Sequence, residues 1–262
     1  MDPMICVTDI HKEFEGVTVL DGVSVRVLPG QFCALIGRSG HGKSVLLRHL
    51  AGMLRPDRGQ VLVDGQDLAT LSMYDLRRLR RRFGFVFQGG ALFDSMTIFD
   101  NVAFPLRECL GLAEDEVRVR VMRALEQVSL NGSEAKMPAQ VSGGMGKRAA
   151  LARALVLEPQ ILFFDEPTTG LDPITAQAIL DLISRCHRAL GFTGVIVSHQ
   201  IPRVFEIVQQ VVVLQHGRIR FDGTPEQLRA SNDEVVRGLL GADDVPPAGE
   251  AGGGATGKES AA

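Results

Sequence analysis

Long apolar runs are missing from this sequence. No stretch of its 262 residues approaches the roughly 20 apolar residues that a helix needs to span a bilayer. Contact with a membrane is therefore expected only through a partner protein. A basic field is missing as well: 28 Lys and Arg stand against 31 Asp and Glu, leaving a formal charge of −3. That balance argues against a nucleic-acid partner. The four cysteines, Cys6, Cys33, Cys109 and Cys186, lie far apart and form no C-x-x-C pair. They offer no zinc framework and are expected to be reduced thiols of a cytosolic protein. The first residues hold Asp2 and Asp9 and no apolar core, so no signal peptide is expected there. Internal repeats and sustained heptads are absent too.

What is present begins with apolar residues, 45% of the chain, enough to bury a real core. Residues 17–27 alternate apolar and polar side chains, the pattern of a half-buried strand. Residues 31–36 form a short apolar run ending at Gly37, and a helix is expected over 43–54 with Leu46, Leu47 and Leu50 on one face. Further strands are expected at 59–63, 83–87, 161–164, 193–197 and 211–214, and further helices at 72–82, 114–128 and 143–157. The 72–82 helix carries Arg77, Arg78, Arg80, Arg81 and Arg82, either a solvated face or a contact for phosphate or a partner. Strands alternating with helices predict an α/β fold with a largely parallel sheet. The folded domain is expected over residues 4–240, with a helical insertion at about 89–157. Residues 243–262, with Pro246, Pro247 and Gly252-Gly253-Gly254, are expected to form a disordered tail.

Two motifs carry chemistry. Gly37, Arg38, Ser39, Gly40, His41, Gly42, Lys43 and Ser44 match G-x-x-x-x-G-K-[ST] completely. The glycines let the backbone wrap a polyphosphate with its N–H groups inward, and the helix that follows, from Lys43 through Val45 onward, adds the positive end of its dipole. In this pattern Lys43 reaches the β- and γ-phosphates of ATP and the Ser44 hydroxyl ligates Mg²⁺. His41 is either a variable position whose backbone does the binding or a catalytic group. The apolar run 161–164 then ends in two acids, Asp165 and Glu166. Adjacent carboxylates at a buried strand end repel each other and lose solvation, a conflict that a cation resolves. Asp165 is the candidate for the Mg²⁺ shell, and Glu166 for polarising the attacking water.

The residues between these motifs narrow the family. Val141-Ser142-Gly143-Gly144-Met145 opens a helix, with Ser142 placed 23 residues before Asp165. It resembles the signature motif of ABC transporter ATP-binding subunits, and the resemblance extends from residue 4 to about 240. It implies a P-loop NTPase domain with a RecA-like core, an antiparallel β subdomain and a helical subdomain. It also implies that Ser142, Gly143 and Gly144 grip the γ-phosphate of an ATP held by the opposite subunit. A Ser N-cap and the free N–H groups of a helix start suit that role. Gln88 resembles the Q-loop glutamine, which senses Mg²⁺ and the permease. Gly170-Leu171-Asp172-Pro173 resembles the D-loop, and His199 the H-loop histidine that contacts the γ-phosphate. Phe14 stands where the family stacks an aromatic on adenine, and otherwise reads as a core residue. Met145 departs from the commoner Gln, and Gln200 from the usual Asp.

Within the family, residues 88–93, 99–108 and 142–153 look closest to the Mla type, which energises lipid transport with MCE-domain proteins. That resemblance implies ATP hydrolysis coupled to phospholipid transport, by a homodimer that closes head to tail on two ATPs. It implies a multi-span permease, an MCE-domain protein and a small STAS-domain protein as partners. It places the chain peripherally on the cytoplasmic face of the bacterial inner membrane. An importer ATPase for another solute is the alternative. Phe93, Phe99 and Phe104 are either core of the helical subdomain or lining of the groove for the permease's coupling helix. A repair-type ABC ATPase would carry long coiled coils between the two nucleotide motifs, and here Lys43 and Asp165 are only 122 positions apart. A translation-type ABC protein would need a second cassette. Glu166 and His199 argue against a non-catalytic module.

Overall fold

The computed structural model describes residues 2–199 and 201–240. Gln200 and the tail expected over 243–262 lie outside the described residues. The chain opens with β1 (Ile5–Phe14) and β2 (Val17–Val27). Next come β3 (Phe32–Ile36), α1 (Lys43–Leu50), β4 (Arg58–Val63) and the short β5 (Gln66–Asp67). α2 (Met73–Arg80) leads into β6 (Phe83–Val86). Three helices follow: α3 (Ile98–Leu110), α4 (Glu114–Gln127) and α5 (Gly143–Leu155). The chain then returns to strands with β7 (Ile161–Asp165), α6 (Pro173–Leu190), β8 (Thr193–Val197) and the single-turn α7 (Ile201–Val204). The hairpin β9 (Gln210–Gln215) and β10 (Arg218–Gly223) precedes α8 (Pro225–Arg229) and α9 (Glu234–Leu240).

These strands form two sheets. An antiparallel sheet has the order β2-β1-β4-β5, and a second sheet has the order β10-β9-β3-β8-β7-β6. The second is parallel from β9 to β6, and only β10 runs against its neighbour. Its inner strands bury both faces, which is why they read as unbroken apolar runs. Side chains alternate across them. Phe32, Ala34, Leu162, Phe164, Val211 and Val213 join the core shared with the helices after β6. Cys33, Leu35, Ile161, Phe163, Val212 and Leu214 join the core shared with α1 and the antiparallel sheet. Gly194 lies opposite Phe32, and a Cβ there would collide with the Phe32 ring.

The layer α3–α5 is held by Val102, Leu106, Val117, Val121, Leu125 and Leu151, all buried. Each such side chain contributes about 1.5–3 kcal/mol when withdrawn from water. Asn101 is fully buried, yet satisfied. It accepts from Phe93 N at 2.7 Å and donates to the carbonyls of Phe93, Met96 and Thr97 at 3.0–3.1 Å. It thereby ties the loop after β6 to α3.

Helix α1 stops at Leu50, four residues short of the expected end. Gly52, at φ +66°, supplies the left-handed residue that ends it. Gly52 N bonds His49 O at 2.9 Å and Met53 N bonds Arg48 O at 2.8 Å, the double closure of a Schellman turn. Among the described residues, no helix is long and apolar enough to cross a membrane.

Candidate active site

Strand β3 runs into the loop 37–42, and α1 leaves it at Lys43. Gly37 (φ +145°) lies so close to the Leu214 carbonyl that a Cβ would collide with it. Gly42 (φ +96°) would place a Cβ 2.9 Å from the Val19 carbonyl. Crowding by backbone, as well as the left-handed dihedral, therefore requires glycine at both positions. Arg38, Ser39 and Gly40 are exposed at the front of the loop, whereas Lys43 is only 4% exposed. Its ammonium donates to the Gly37 and Arg38 carbonyls at 2.9 and 2.8 Å. Burial pushes its pKa down, opposed by the charges of Glu166 and Asp165. A polyphosphate seated in this loop would supply the counter-charge that two carbonyls lack. Val45 is half-buried against the core beneath α1. The His41 ring stacks on His216, with centroids 4.5 Å apart. Burial, His216 and Lys43 hold its pKa below the usual histidine range.

At the far side of the loop β7 delivers its acids. Ser44 Oγ donates to Asp165 Oδ1 at 2.7 Å, joining the helix start to the strand end. Hydroxyl and carboxylate oxygens are the hard donors that Mg²⁺ takes, so this pair fits that ion. Glu166 follows with φ +49°. Its backbone N–H donates to Val197 O at 3.1 Å, which pins it to the end of β8. A positive φ is uncommon for glutamate and costs of order 1–3 kcal/mol, a strain that concentrates at functional sites.

Three side chains hold the Glu166 carboxylate. His199 Nε2 meets Oε1 at 2.6 Å, Gln88 Nε2 donates to Oε2 at 3.2 Å, and Thr169 Oγ1 donates to Oε2 at 3.0 Å. A carboxylate only accepts, so Nε2 of His199 carries the proton. The Glu166 side chain keeps 16% exposure, so water reaches it. The structure thus gathers Gln88, Glu166 and His199 from three separate segments. Thr169 was not foreseen. Its position three residues after Glu166, in the turn leaving the strand, was the available signal.

The remaining candidates sit around this centre. Phe14 is 41% exposed and carries the Lys12 ammonium 5.1 Å from its ring centroid, so it is not a core residue. It pairs with Val17, two residues from the Val19 carbonyl that crowds Gly42, which sets the ring at the hairpin end beside the loop. Ser142 caps α5, accepting from Met145 N at 3.3 Å. A Cβ on Gly144 would stand 2.7 Å from Thr175 Cγ2, so glycine lets α5 start close against α6. Asp172 caps α6, accepting from Ile174 N and Thr175 N at 3.1 and 3.0 Å. Among the described residues, no hydrogen bond joins Ser142, Gly143 or Gly144 to the phosphate loop or to Glu166. Ser142 and Gly143 face outward.

A groove of about 780 Å³ opens between α2, β6, α3 and the end of α5. Phe85, Phe87, Phe93 and Phe104 line it, with Arg77 and Arg81 among its basic residues. Phe93 and Phe104 touch, centroids 4.9 Å apart, while Phe99 packs on the helical core instead. The arginines of residues 77–82 divide as well: Arg82 pairs with Asp64 at 2.8 Å, Arg80 donates to the Gly52 carbonyl, and Arg77 and Arg81 line the groove.

Comparison with known proteins bears on this arrangement. The family model described as ABC transporter matches residues 20–169. The intermembrane phospholipid transport system ATP-binding protein MlaF of Haemophilus influenzae is 44% identical over 229 residues, 87% of each chain. A Mycobacterium leprae protein named as a probable ribonucleotide transport ATP-binding protein, mkl, is 41% identical over 249 residues, 95% of this chain and 72% of the relative. The dimeric, post-hydrolysis structure of the ATP-binding cassette MJ0796 with ADP and Pi superimposes with a TM-score of 0.77 at 29% identity, covering 84% of this chain and 98% of that one. With its loop, strand-end acids and capped signature helix in the family's order, this chain belongs to the ABC transporter family, among its ATP-binding subunits.

Proposed function

We propose that two copies of this chain hydrolyse ATP beneath a membrane permease and so drive phospholipid transport. The observation that carries the lipid reading is the 44% identity, over 87% of both chains, to a phospholipid-transport ATP-binding protein. One copy supplies half of each site. Phe14 stacks on adenine, while the N–H groups of residues 37–44 and the Lys43 ammonium clamp the phosphates. Ser44, Asp165 and Gln88 would hold Mg²⁺, which would supply positive charge to offset that of the phosphates. Glu166 takes the proton of the attacking water. The Nε2–H of His199, which rests on Glu166 in this structure, is the donor available to the γ-phosphate. Ser142, Gly143 and Gly144 of the second copy close the site, so that ATP holds the dimer together and hydrolysis releases it.

The groove beside the Q-loop receives the permease's coupling helix, with Phe93 and Phe104 in its wall. The remaining partners are an MCE-domain protein and a STAS-domain protein, and the assembly sits on the cytoplasmic face of the inner membrane. Purification of the detergent-solubilised complex through this chain tests the reading. A multi-span permease, an MCE-domain protein and phospholipid are expected together. A solute-binding protein of the sugar or amino-acid type, without an MCE-domain protein, would overturn the lipid reading and leave the ATPase intact. The 41% identity to the mkl relative favours a second reading, nucleotide transport. Stimulation of the complex's ATPase by ribonucleotides and not by phospholipid would establish it.

A further inference from the structure

Lys147 has no place in the mechanism above, yet its surroundings are unusual. It lies on α5, five residues beyond the Ser142 cap, and is 9% exposed. Among the described residues its ammonium forms no ion pair within 4.0 Å, and burial pushes its pKa down, with Glu166 the opposing charge. Burying an ammonium without a carboxylate is costly, and an apolar side chain of the same length would fill the space without that cost. What the ammonium does reach is the backbone carbonyl of Gln88, in a close hydrogen bond. Two further carbonyls of this loop are taken from the same helix: Arg153 donates to Gly90 O and to Ala91 O, each at 2.7 Å. Gly90 also rests on Ala150, where a Cβ on the glycine would stand 3.6 Å from the alanine methyl.

Gln88 is therefore gripped at both ends. Its side-chain amide lies on Glu166 and its carbonyl lies on Lys147. Lys147 also sits on the helix whose N-terminus presents Ser142, Gly143 and Gly144. An α-helix is stiff over the one and a half turns between these points. We propose that Lys147 is a positioning residue that carries displacement of the signature end of α5 to Gln88, and so sets the angle at which Gln88 orients the Glu166 carboxylate. The proposal rests on the reading of Gln88 and Glu166 as parts of the hydrolytic site. In this reading Lys147 acts through Gln88, whose carbonyl it holds.

The test compares K147M, K147R, Q88A and the double variant Q88A/K147M as purified protein. Readouts are kcat, KM for ATP, the Mg²⁺ concentration for half-maximal turnover, and Tm. A displaced positioning group costs about 10- to 100-fold in rate, and K147M is expected to lose that much kcat with KM within about twofold of wild type. It is also expected to need more Mg²⁺. K147R, which can donate to the same carbonyl, is expected to recover most of kcat. The double variant is expected to be no slower than Q88A alone, because both act through one group. Wild-type kcat in K147M, or losses that multiply in the double variant, would overturn the proposal. So would a fall in kcat that tracks a fall in Tm and is not recovered in K147R, since that is a packing effect. Wild-type kcat in Q88A would instead overturn the reading beneath it, and the proposal with it. If K147M does not fold, K147A, which likewise lacks the donor, is read in its place against the same criteria.

Discussion

Lys43 and His49 lie on the same helix, α1, and burial lowers the pKa of both. Lys43 is nearly buried with only carbonyls as direct partners. Hydrogen bonds to charged groups contribute about 1.5–3 kcal/mol, so K43A should raise the Kd for ATP by about 10- to 100-fold and abolish turnover. A nucleotide titration unchanged by the substitution removes Lys43 from the site. His49 is fully buried, with Nδ1 2.7 Å from Val45 O, and burial above all lowers its pKa. The folded state thus prefers the neutral ring, while the unfolded chain titrates near the ordinary histidine value of about 6.5. Its contribution is present above that value and is lost as pH falls through the lower, folded one. Melting curves from pH 8 to 5 should show wild-type Tm falling more steeply on the acid side than that of H49Q. Equal slopes would contradict this. At this scale the sequence was legible wherever chemistry restricts residue identity. Gly37, Gly42, Lys43, Asp165 and Glu166 are examples. Lys147 and Thr169 were not legible, because a lysine on a helix and a threonine in a turn have ordinary explanations until the fold brings Gln88, 59 positions away, against the first.

Among the elements, β2 and β8 have the bounds that their patterns predicted. Strand β1 went unread for a physical reason. Asp9, His11, Lys12 and Glu13 break its alternation, and its pairing with β2 shifts register between Val7 and Ile10, again after Ile10, and after Lys12. A bulged strand has no clean period of two. Strand β10 is short, polar-alternating and at the sheet edge, and gives little signal of its own. Helix α6 carried a signal that pattern alone did not weigh. Asp172 caps it, Pro173 takes its first position, and Gly191 ends it in the left-handed conformation. The layer α3–α5 depends on such caps. Thr97 accepts from Asp100 N at 3.0 Å and donates to Asp100 Oδ2 at 2.6 Å at the start of α3. T97A should cost about 1 kcal/mol, which in a chain of this size lowers Tm by about 2–4 °C. Calorimetry should find that drop with ATP affinity intact. An unchanged Tm would mean that the cap adds nothing.

For the whole molecule, the two-sheet architecture leaves Ser142 and Gly143 outward and sets the largely buried Lys43–Asp165–Glu166 centre behind the exposed loop residues Arg38, Ser39 and Gly40. On the proposed function, a single copy presents two halves of different sites. Composition and periodicity indicated the α/β sheet. The order of the motifs, carrying the family resemblance, indicated two copies. Neither could place the groove, because its walls come from α2, β6, α3 and α5, which meet only in the fold. The measurement that tests the central claim most directly is ATP turnover, nucleotide affinity and mass of the E166Q variant, taken side by side with wild type. The carboxylate is then neutral, so kcat should fall by about 10²- to 10⁴-fold while the Kd for ATP holds. Light scattering with ATP should show a stable dimer that disperses in wild type as ATP is consumed. Turnover in E166Q within twofold of wild type, or a chain that stays monomeric with ATP, would contradict the account.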